Sequence, residues 1–340
     1  MSGKAQHARN PPPRRTRTVW GVILLTAGVV LMAGTLLYLA LTPASTPANG
    51  PLPAPDAAAP DGTAASTAAS SAASSSSAAP SSAPAATAGT ARSFAFTEET
   101  KAELDALLAG YGEGVSVYFE DLESGYTYLY GADTRYFAAS VMKAPYCLYL
   151  YDLVSQGKAD LDAVYTYTAA DTAGGTGVIQ NMEVGSVFTL RELLHHLIVD
   201  SDNVALRILR RAFPADGFQA YAAALGLHRP EDVRHINDSY IHAADAGVYL
   251  RALYRFMEEN PYGAELRELM MQTRNPMIRS GWPLARKYGW ADKAFHDMGI
   301  VYAPHPYALA ILSDREDGTA QDFAMFRTIS AALERAALSA

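Results

Sequence analysis

The chain has 340 residues, 49% apolar and 18% charged, enough for one large domain or two small ones. Residues 93–340 carry 33 acidic and 21 basic side chains, a net charge of −12 with no basic cluster, which argues against a nucleic-acid-binding protein. Its one cysteine, Cys147, excludes a disulfide within the chain, and its place in the apolar run YCLYLY predicts a buried packing thiol.

In chain order, residues 1–18 hold Lys4, Arg9, Arg14, Arg15 and Arg17 and no acid, which predicts a cytoplasmic basic tail. Residues 19–41 carry no charge. A helix over them would span roughly 34 Å, enough for a bilayer core. A cleaved signal peptide is the competing reading, but its apolar core is usually about 7–15 residues and ends in a small-residue cleavage site, neither of which fits here. The segment therefore predicts a single membrane-spanning helix, with the rest of the chain outside the cell membrane. Residues 42–92 are almost all Ala, Ser, Pro, Thr and Gly, a composition with too little apolar surface to offset its ordering entropy. They predict a disordered linker whose ends average roughly 40 Å apart. A sugar-decorated stalk fits the same composition.

The domain is then residues 93–340. Residues 97–111 open on a threonine cap signal and predict a helix, and residues 114–131 predict a hairpin around DLESG. Residues 139–157 read as a buried helix, and 189–199 as an amphipathic one with Leu190, Leu193, Leu194, Leu197 and Ile198 on one face. Further helices are predicted at 204–213, 216–225 and 243–258, then extended runs at 283–290, 296–302 and 306–313, and a last helix at 319–337. Strands at both ends and helices between predict an α+β domain. One antiparallel sheet is assembled from both ends of the domain and packed against helices, and an all-α lobe forms from the middle. A small-molecule cleft is expected between the two layers.

Three short motifs carry chemistry. In FAASVMKAPY, Ser140 and Lys143 are three residues apart and share a helix face. A serine hydroxyl needs a base, and a buried lysine with a depressed pKa can serve as one. The plainer reading is a serine N-cap and a solvated lysine. SDN, Ser201 to Asn203, lies between two helices, where Ser, Asp and Asn are also ordinary capping residues. KYG, Lys287 to Gly289, lies on the first late strand, where an edge lysine is often only a solvated charge.

Taken together and in this order, Ser-x-x-Lys, Ser-Asp-Asn and Lys-x-Gly resemble the signature set of class A β-lactamases and penicillin-binding proteins. The preceding hairpin, the GTGVIQ loop at 175–180, the helix leading into SDN and the HDMGIVY run extend the resemblance over nearly all of residues 95–338. It implies a membrane-anchored serine hydrolase acting on β-lactams or cell-wall peptides through an acyl-Ser140 intermediate. Lys143 would be the base and Ser201 a proton relay. Asn203 would contact the substrate amide and Lys287 its carboxylate, next to Tyr288 and Gly289. The N–H groups of Ser140 and Trp290 would form an oxyanion hole. The resemblance implies no cofactor. A catalytically silent module that binds wall fragments is the alternative, since fold does not dictate function.

Two departures from the pattern stand out. Tyr288 occupies a position that is normally Thr or Ser, which puts recognition of ordinary penicillins in question. In residues 227–247, where class A lactamases carry a deacylating glutamate, Glu231 and Asp232 are present but not at the family's spacing before Asn237, which points away from fast lactam turnover. Adjacent His195 and His196 do not share a helix face, and His296 and Asp297 should point to opposite faces of a strand, with His296 an ordinary strand-end residue. No metal is predicted.

Overall fold

The computed structural model describes residues 93–234, 236–316 and 318–340. The predicted basic tail, membrane helix and linker lie outside them. Among the described residues no helix is long and apolar enough to cross a membrane.

The core of the domain is a five-stranded antiparallel sheet. Its first two strands, β1 (Val115–Asp121) and β2 (Thr127–Tyr130), form the predicted hairpin. The turn closes where Ser124 N–H donates to Asp121 Oδ1 at 2.8 Å. Two-residue β3 (Tyr136–Phe137) leads into a 3₁₀ turn, Ala139–Met142, and then helix α2 (Lys143–Ser155). The expected continuous helix over 139–157 is thus divided, and the junction falls between Ser140 and Lys143.

The helical lobe comes next: β4 (Val164–Thr166), β5 (Val187–Thr189), α3 (Leu190–Val199), α4 (Asn203–Ala212), α5 (Ala215–Ala224), β6 (Tyr240–Ile241), α6 (Ala243–Glu259) and α7 (Gly263–Met271). Helix α3 starts on a capping box between Thr189 and Glu192, and α4 on the Asp202 carboxylate. The minor pairings β3–β6 and β4–β5, and helix α7, did not stand out in the sequence. Strands of two or three residues carry no periodicity, and α7, nine residues long and set behind a turn marked by Asn260 and Pro261, is too short to show a clear helical period.

Strands β7 (Leu284–Ala291), β8 (Ala294–Val301) and β9 (Tyr307–Ser313) complete the sheet in the order β2-β1-β9-β8-β7, so both ends of the domain build it, as expected. Helix α1 (Glu98–Ala109) and the C-terminal helix α8 (Ala320–Ser339) lie together on one face. Strands β1, β8 and β9 are buried along their whole length because both faces are covered. Alternation then sorts their side chains. Val115, Val117 and Phe119 of β1 join Leu104, Phe326 and Leu333 in one core, while Tyr118 joins Leu250 and Leu253 of α6 in the other. Cys147 is fully buried on α2.

The edge strand β7 carries the third motif. Lys287 pairs with Met298, Tyr288 with Asp297 and Gly289 with His296. His296 is not a strand-end histidine but a buried residue inside β8. Ser313 N–H donates to its Nδ1 at 3.0 Å, so the proton sits on Nε2, which donates to Phe137 O at 2.8 Å. Burial drops its pKa to about 4 and keeps it neutral. This imidazole ties the chain three residues before Ser140 to the middle of the sheet.

Candidate active site

The 3₁₀ turn Ala139–Met142 presents Ser140 to a cleft of about 270 Å³. A 3₁₀ turn has three residues per turn, so the side chains of Ser140 and Lys143 lie one above the other. Both line the cleft. Ser140 makes no capping bond, and its hydroxyl has no hydrogen-bond partner among the described residues, so the ordinary role of a helix-starting serine does not account for it. The residue before it, Ala139, has φ 48°. A non-glycine residue in this left-handed region stores strain, which persists only where the surroundings enforce it.

What enforces it is β7. A Cβ on Gly289 would lie 2.9 Å from Val141 N and 3.1 Å from Ser140 N. No side chain fits between the strand and the turn, so glycine lets the two backbones meet. The edge position of β7 also leaves alternate backbone N–H groups facing away from β8, beside the turn.

The second motif closes the cleft from the helical lobe. Ser201 also has positive φ, 54°, and is fully buried. Asp202 holds the loop: its Oδ1 accepts from Val204 N and Ala205 N, and its Oδ2 from Val178 N and Ile179 N, at 2.6–2.9 Å. Four charge-assisted bonds thus fix the GTGVIQ loop and the start of α4 to one carboxylate. Gly177, φ 122°, allows that approach, since a Cβ there would fall 2.3 Å from the Asp202 carboxyl carbon. Thr176 Oγ1 donates to Ser201 O at 2.7 Å.

Lys143, 1% exposed, reaches into this loop. Its Nζ donates to Ser201 O, to Ser201 Oγ at 3.3 Å and to Asn203 Oδ1 at 2.8 Å. Burial pulls its pKa down to about 7, with the Asp202 charge opposing. Lys287, fully buried, donates to the same Ser201 Oγ at 3.0 Å and to Tyr288 O at 2.9 Å. Burial first, and then the Lys143 charge, push its pKa well below the ordinary lysine value. Two amines that share one hydroxyl in a dry interior cannot both carry charge cheaply. The arrangement can hold one proton between them and pass it through Ser201 Oγ.

Of the eight sequence-predicted residues, the fold brings Ser140, Lys143, Ser201, Asn203 and Lys287 to one place and sets Gly289 and Trp290 beside it. The Trp290 side chain, 45% exposed, lines the cleft opposite Asn203. Lys287 and Tyr288 sit differently from the expectation of a cation and a ring facing the substrate. Lys287 lies beneath the cleft surface, and Tyr288 is buried in the α1–α8 side core. The Tyr288 ring centroid lies 4.0 Å from Lys287 Nζ, and its hydroxyl accepts from Asn275 Nδ2 at 3.1 Å. The ring therefore covers the amine rather than projecting into the cleft.

Sequence reasoning missed the part played by four residues. Asp202 read only as a cap, although an acid between two motif residues is itself a signal. Arg207 lies four residues beyond Asn203 on α4 and lines the cleft. Arg286 and Asp297 form a buried pair at 3.0 Å, and Asp297 also accepts from Met277 N and Ile278 N, fixing the segment before β7. Glu231 is exposed on a 3₁₀ turn, while Asp232 beside it is held by both Arg135 Nε and Nη2. Among the described residues no carboxylate lines the cleft.

Comparison with known proteins bears on the fold that carries this site. A leucine-to-glutamate mutant of PBP-A, in an acyl-enzyme complex with penicillin G, superposes with a TM-score of 0.64 at 20% identity, covering 71% of this chain and 97% of that one. A β-lactamase from Sphaerobacter thermophilus gives 0.63 at 21% identity, with 72% and 99% covered. One from Chitinophaga pinensis gives 0.63 at 21%, with 71% and 100% covered. At these identities the likeness shows a shared fold. None of the curated proteins compared matches the sequence. Residues 99–337 match the Beta-lactamase2 model, described as the "Beta-lactamase enzyme family", and over so much of the chain the match means that this protein belongs to that family of β-lactamase and transpeptidase-like serine hydrolases.

Proposed function

We propose that the domain is an active-site serine acyl-transfer enzyme that acts on peptide or lactam carbonyls of cell-wall type, outside the membrane to which residues 19–41 anchor it. The observation that carries this reading is the convergence of two buried amines on Ser201 Oγ, one of them Lys143, which lines the same cleft as Ser140, whose hydroxyl has no partner among the described residues. A merely structural lysine would not be buried against a second lysine, because the desolvation cost is several kcal/mol per ion.

Neutral Lys143 accepts the Ser140 proton as Ser140 Oγ adds to the substrate carbonyl carbon. The oxyanion is received by the N–H groups of Ser140 and Trp290, brought together by the close approach at Gly289. As the tetrahedral adduct collapses, the proton on Lys143 passes through Ser201 Oγ to the leaving nitrogen or sulfur. The products of this half-reaction are the acyl-Ser140 ester, the departing amine or thiol, and a neutral Lys143. Water or an amine acceptor then takes the acyl group by the reverse route. No carboxylate among the described cleft residues stands ready to activate water, which favours transfer to an amine, or slow hydrolysis, over rapid lactam destruction.

The buried Lys287 and the covering Tyr288 ring leave little open positive charge where a penicillin carboxylate would sit. Peptide thioesters should therefore acylate faster than penicillins. Intact-mass spectrometry after incubation with a D-alanyl thioester and with benzylpenicillin tests the reading. The expected result is a mass increase mapping to Ser140, faster with the thioester and absent in Ser140→Ala. An equal mass increase in Ser140→Ala would refute it.

A further inference from the structure

The charge lining the cleft is one-sided. Although the domain as a whole is acidic, the charged residues among the described cleft-lining set are Lys143 and Arg207, and no acid accompanies them. Lys143 is engaged at the floor by Ser201 and Asn203. Lys287 is buried beneath it. Arg207 is the remaining cation, and it is exposed.

Its setting is that of an oriented, unneutralised guanidinium. Arg207 follows Asn203 by four residues on α4, so it continues the same helix face about 6 Å farther along the axis. Its Nη1 donates to Thr172 O, which fixes the fork against the loop before Gly174. Its Nε and Nη2 donors have no partner among the described residues, and it forms no ion pair there. The neighbouring Arg211 differs: Asp171 binds both its Nε and Nη2 at 3.0 Å. Asp171 is thus already paired; Asp216 also lines the pocket beside Arg207, Arg210 and Arg211, but no ion pair between it and Arg207 forms among the described residues. A planar guanidinium with free N–H groups matches a carboxylate in two-point geometry.

The position also fixes which part of a substrate would meet it. The sheet wall, Gly289 and Trp290, lies beside the Ser140 backbone, where the scissile carbonyl oxygen would go. Asn203 and Arg207 line the opposite wall, one helical turn apart. The protein itself holds the Asn203 amide, through Lys143 Nζ on Oδ1 and Gly174 O on Nδ2, so an acyl portion laid along this wall from Ser140 would find Arg207 as its open polar partner.

We propose that Arg207 determines specificity: the cleft selects acyl donors that carry a carboxylate on the acyl side of the scissile carbonyl, as in a peptide with an acidic side chain or branch. This rests on the reading of Ser140 as the acylated nucleophile. It moves the anion contact from the covered Lys287 on the sheet wall to the open Arg207 on the helical wall.

Two probes test it: thioesters of N-succinyl-D-alanine and of N-succinamoyl-D-alanine, identical except for carboxylate against carboxamide, each with a neutral thiol. The wild-type protein should be acylated about tenfold faster by the carboxylate probe, the range for a well-formed Arg–carboxylate contact at a partly open site. The ratio of the two rates should fall to about one in Arg207→Gln and stay above one in Arg207→Lys. Equal rates in the wild type, or a ratio unchanged in Arg207→Gln, would overturn the proposal. A second arm separates this from failure of the nucleophile assignment. In Ser140→Ala, calorimetric binding of N-succinyl-D-alaninamide and N-succinamoyl-D-alaninamide should favour the carboxylate about tenfold, and addition of Arg207→Gln should remove the preference. If the wild type is never acylated, the Ser140 reading falls. The binding arm then decides the Arg207 proposal alone: a preference abolished by Arg207→Gln supports it, and equal binding overturns it.

Discussion

The two walls of the cleft treat positive charge in opposite ways. The sheet wall buries its lysine: Lys287 is fully enclosed, covered by the Tyr288 ring and tied to Ser201 Oγ and the Tyr288 carbonyl. The helical wall leaves Arg207 exposed and without an ion pair among the described residues, while Asp171 holds its neighbour Arg211. Burial lowers the pKa of a lysine and makes it useful for proton traffic, whereas exposure keeps a guanidinium charged and useful for binding. On the proposed reading, one cation serves the chemistry and the other recognition.

The largest effect should come from separating the sheet wall from the nucleophile turn. Gly289→Ala places a methyl 2.9–3.1 Å from the backbone nitrogens of Val141 and Ser140. Displacement of the strand or turn by about 1 Å should slow acylation of Ser140 roughly 100-fold, while the overpacking costs about 1–3 kcal/mol of stability. Stopped mass spectrometry and denaturant unfolding measure the two separately. An unchanged acylation rate would mean that the close approach at Gly289 does not position the oxyanion donors.

A smaller effect of opposite sign is expected one residue earlier. Tyr288→Thr removes the ring over Lys287, at the cost of a cavity in the α1–α8 side core and the bond to Asn275. Acylation by benzylpenicillin should rise about tenfold, the equivalent of one polar contact of about 1–1.5 kcal/mol. No rise would mean that the sheet wall is closed by something other than this ring, and the contrast between the walls would lose its basis.

Much of this was legible in the sequence, and the parts that were not have physical reasons. The hairpin at DLESG, the amphipathic helix at 189–199, and the late strands each have a local signal, and each formed within a residue or two of its predicted bounds. The three motifs could be joined in the sequence only through their resemblance to a family pattern; spacing alone does not link residues 140, 201 and 287. The division of the helix between Ser140 and Lys143 was hidden, because the pull of β7 on the turn is tertiary and leaves a strained Ala139 where local propensity favours helix. The opposite fates of Lys287 and Arg207 were hidden for the same reason. A strand lysine and a helix arginine both read as solvated charges until packing buries one of them.

The pH dependence of Ser140 acylation tests the central claim most directly. Lys143 has its pKa pulled down to about 7 by burial, and only its neutral form can take the serine proton. Below that value the amine is protonated and the rate should fall about tenfold per pH unit; above it the rate should level off. A thioester-acylation profile that rises through a midpoint near pH 7, and that loses this midpoint in Lys143→Ala together with most of the rate, is the predicted result. A profile that is flat from pH 5 to 9, or the same midpoint surviving in Lys143→Ala, would contradict a catalytic role for this lysine.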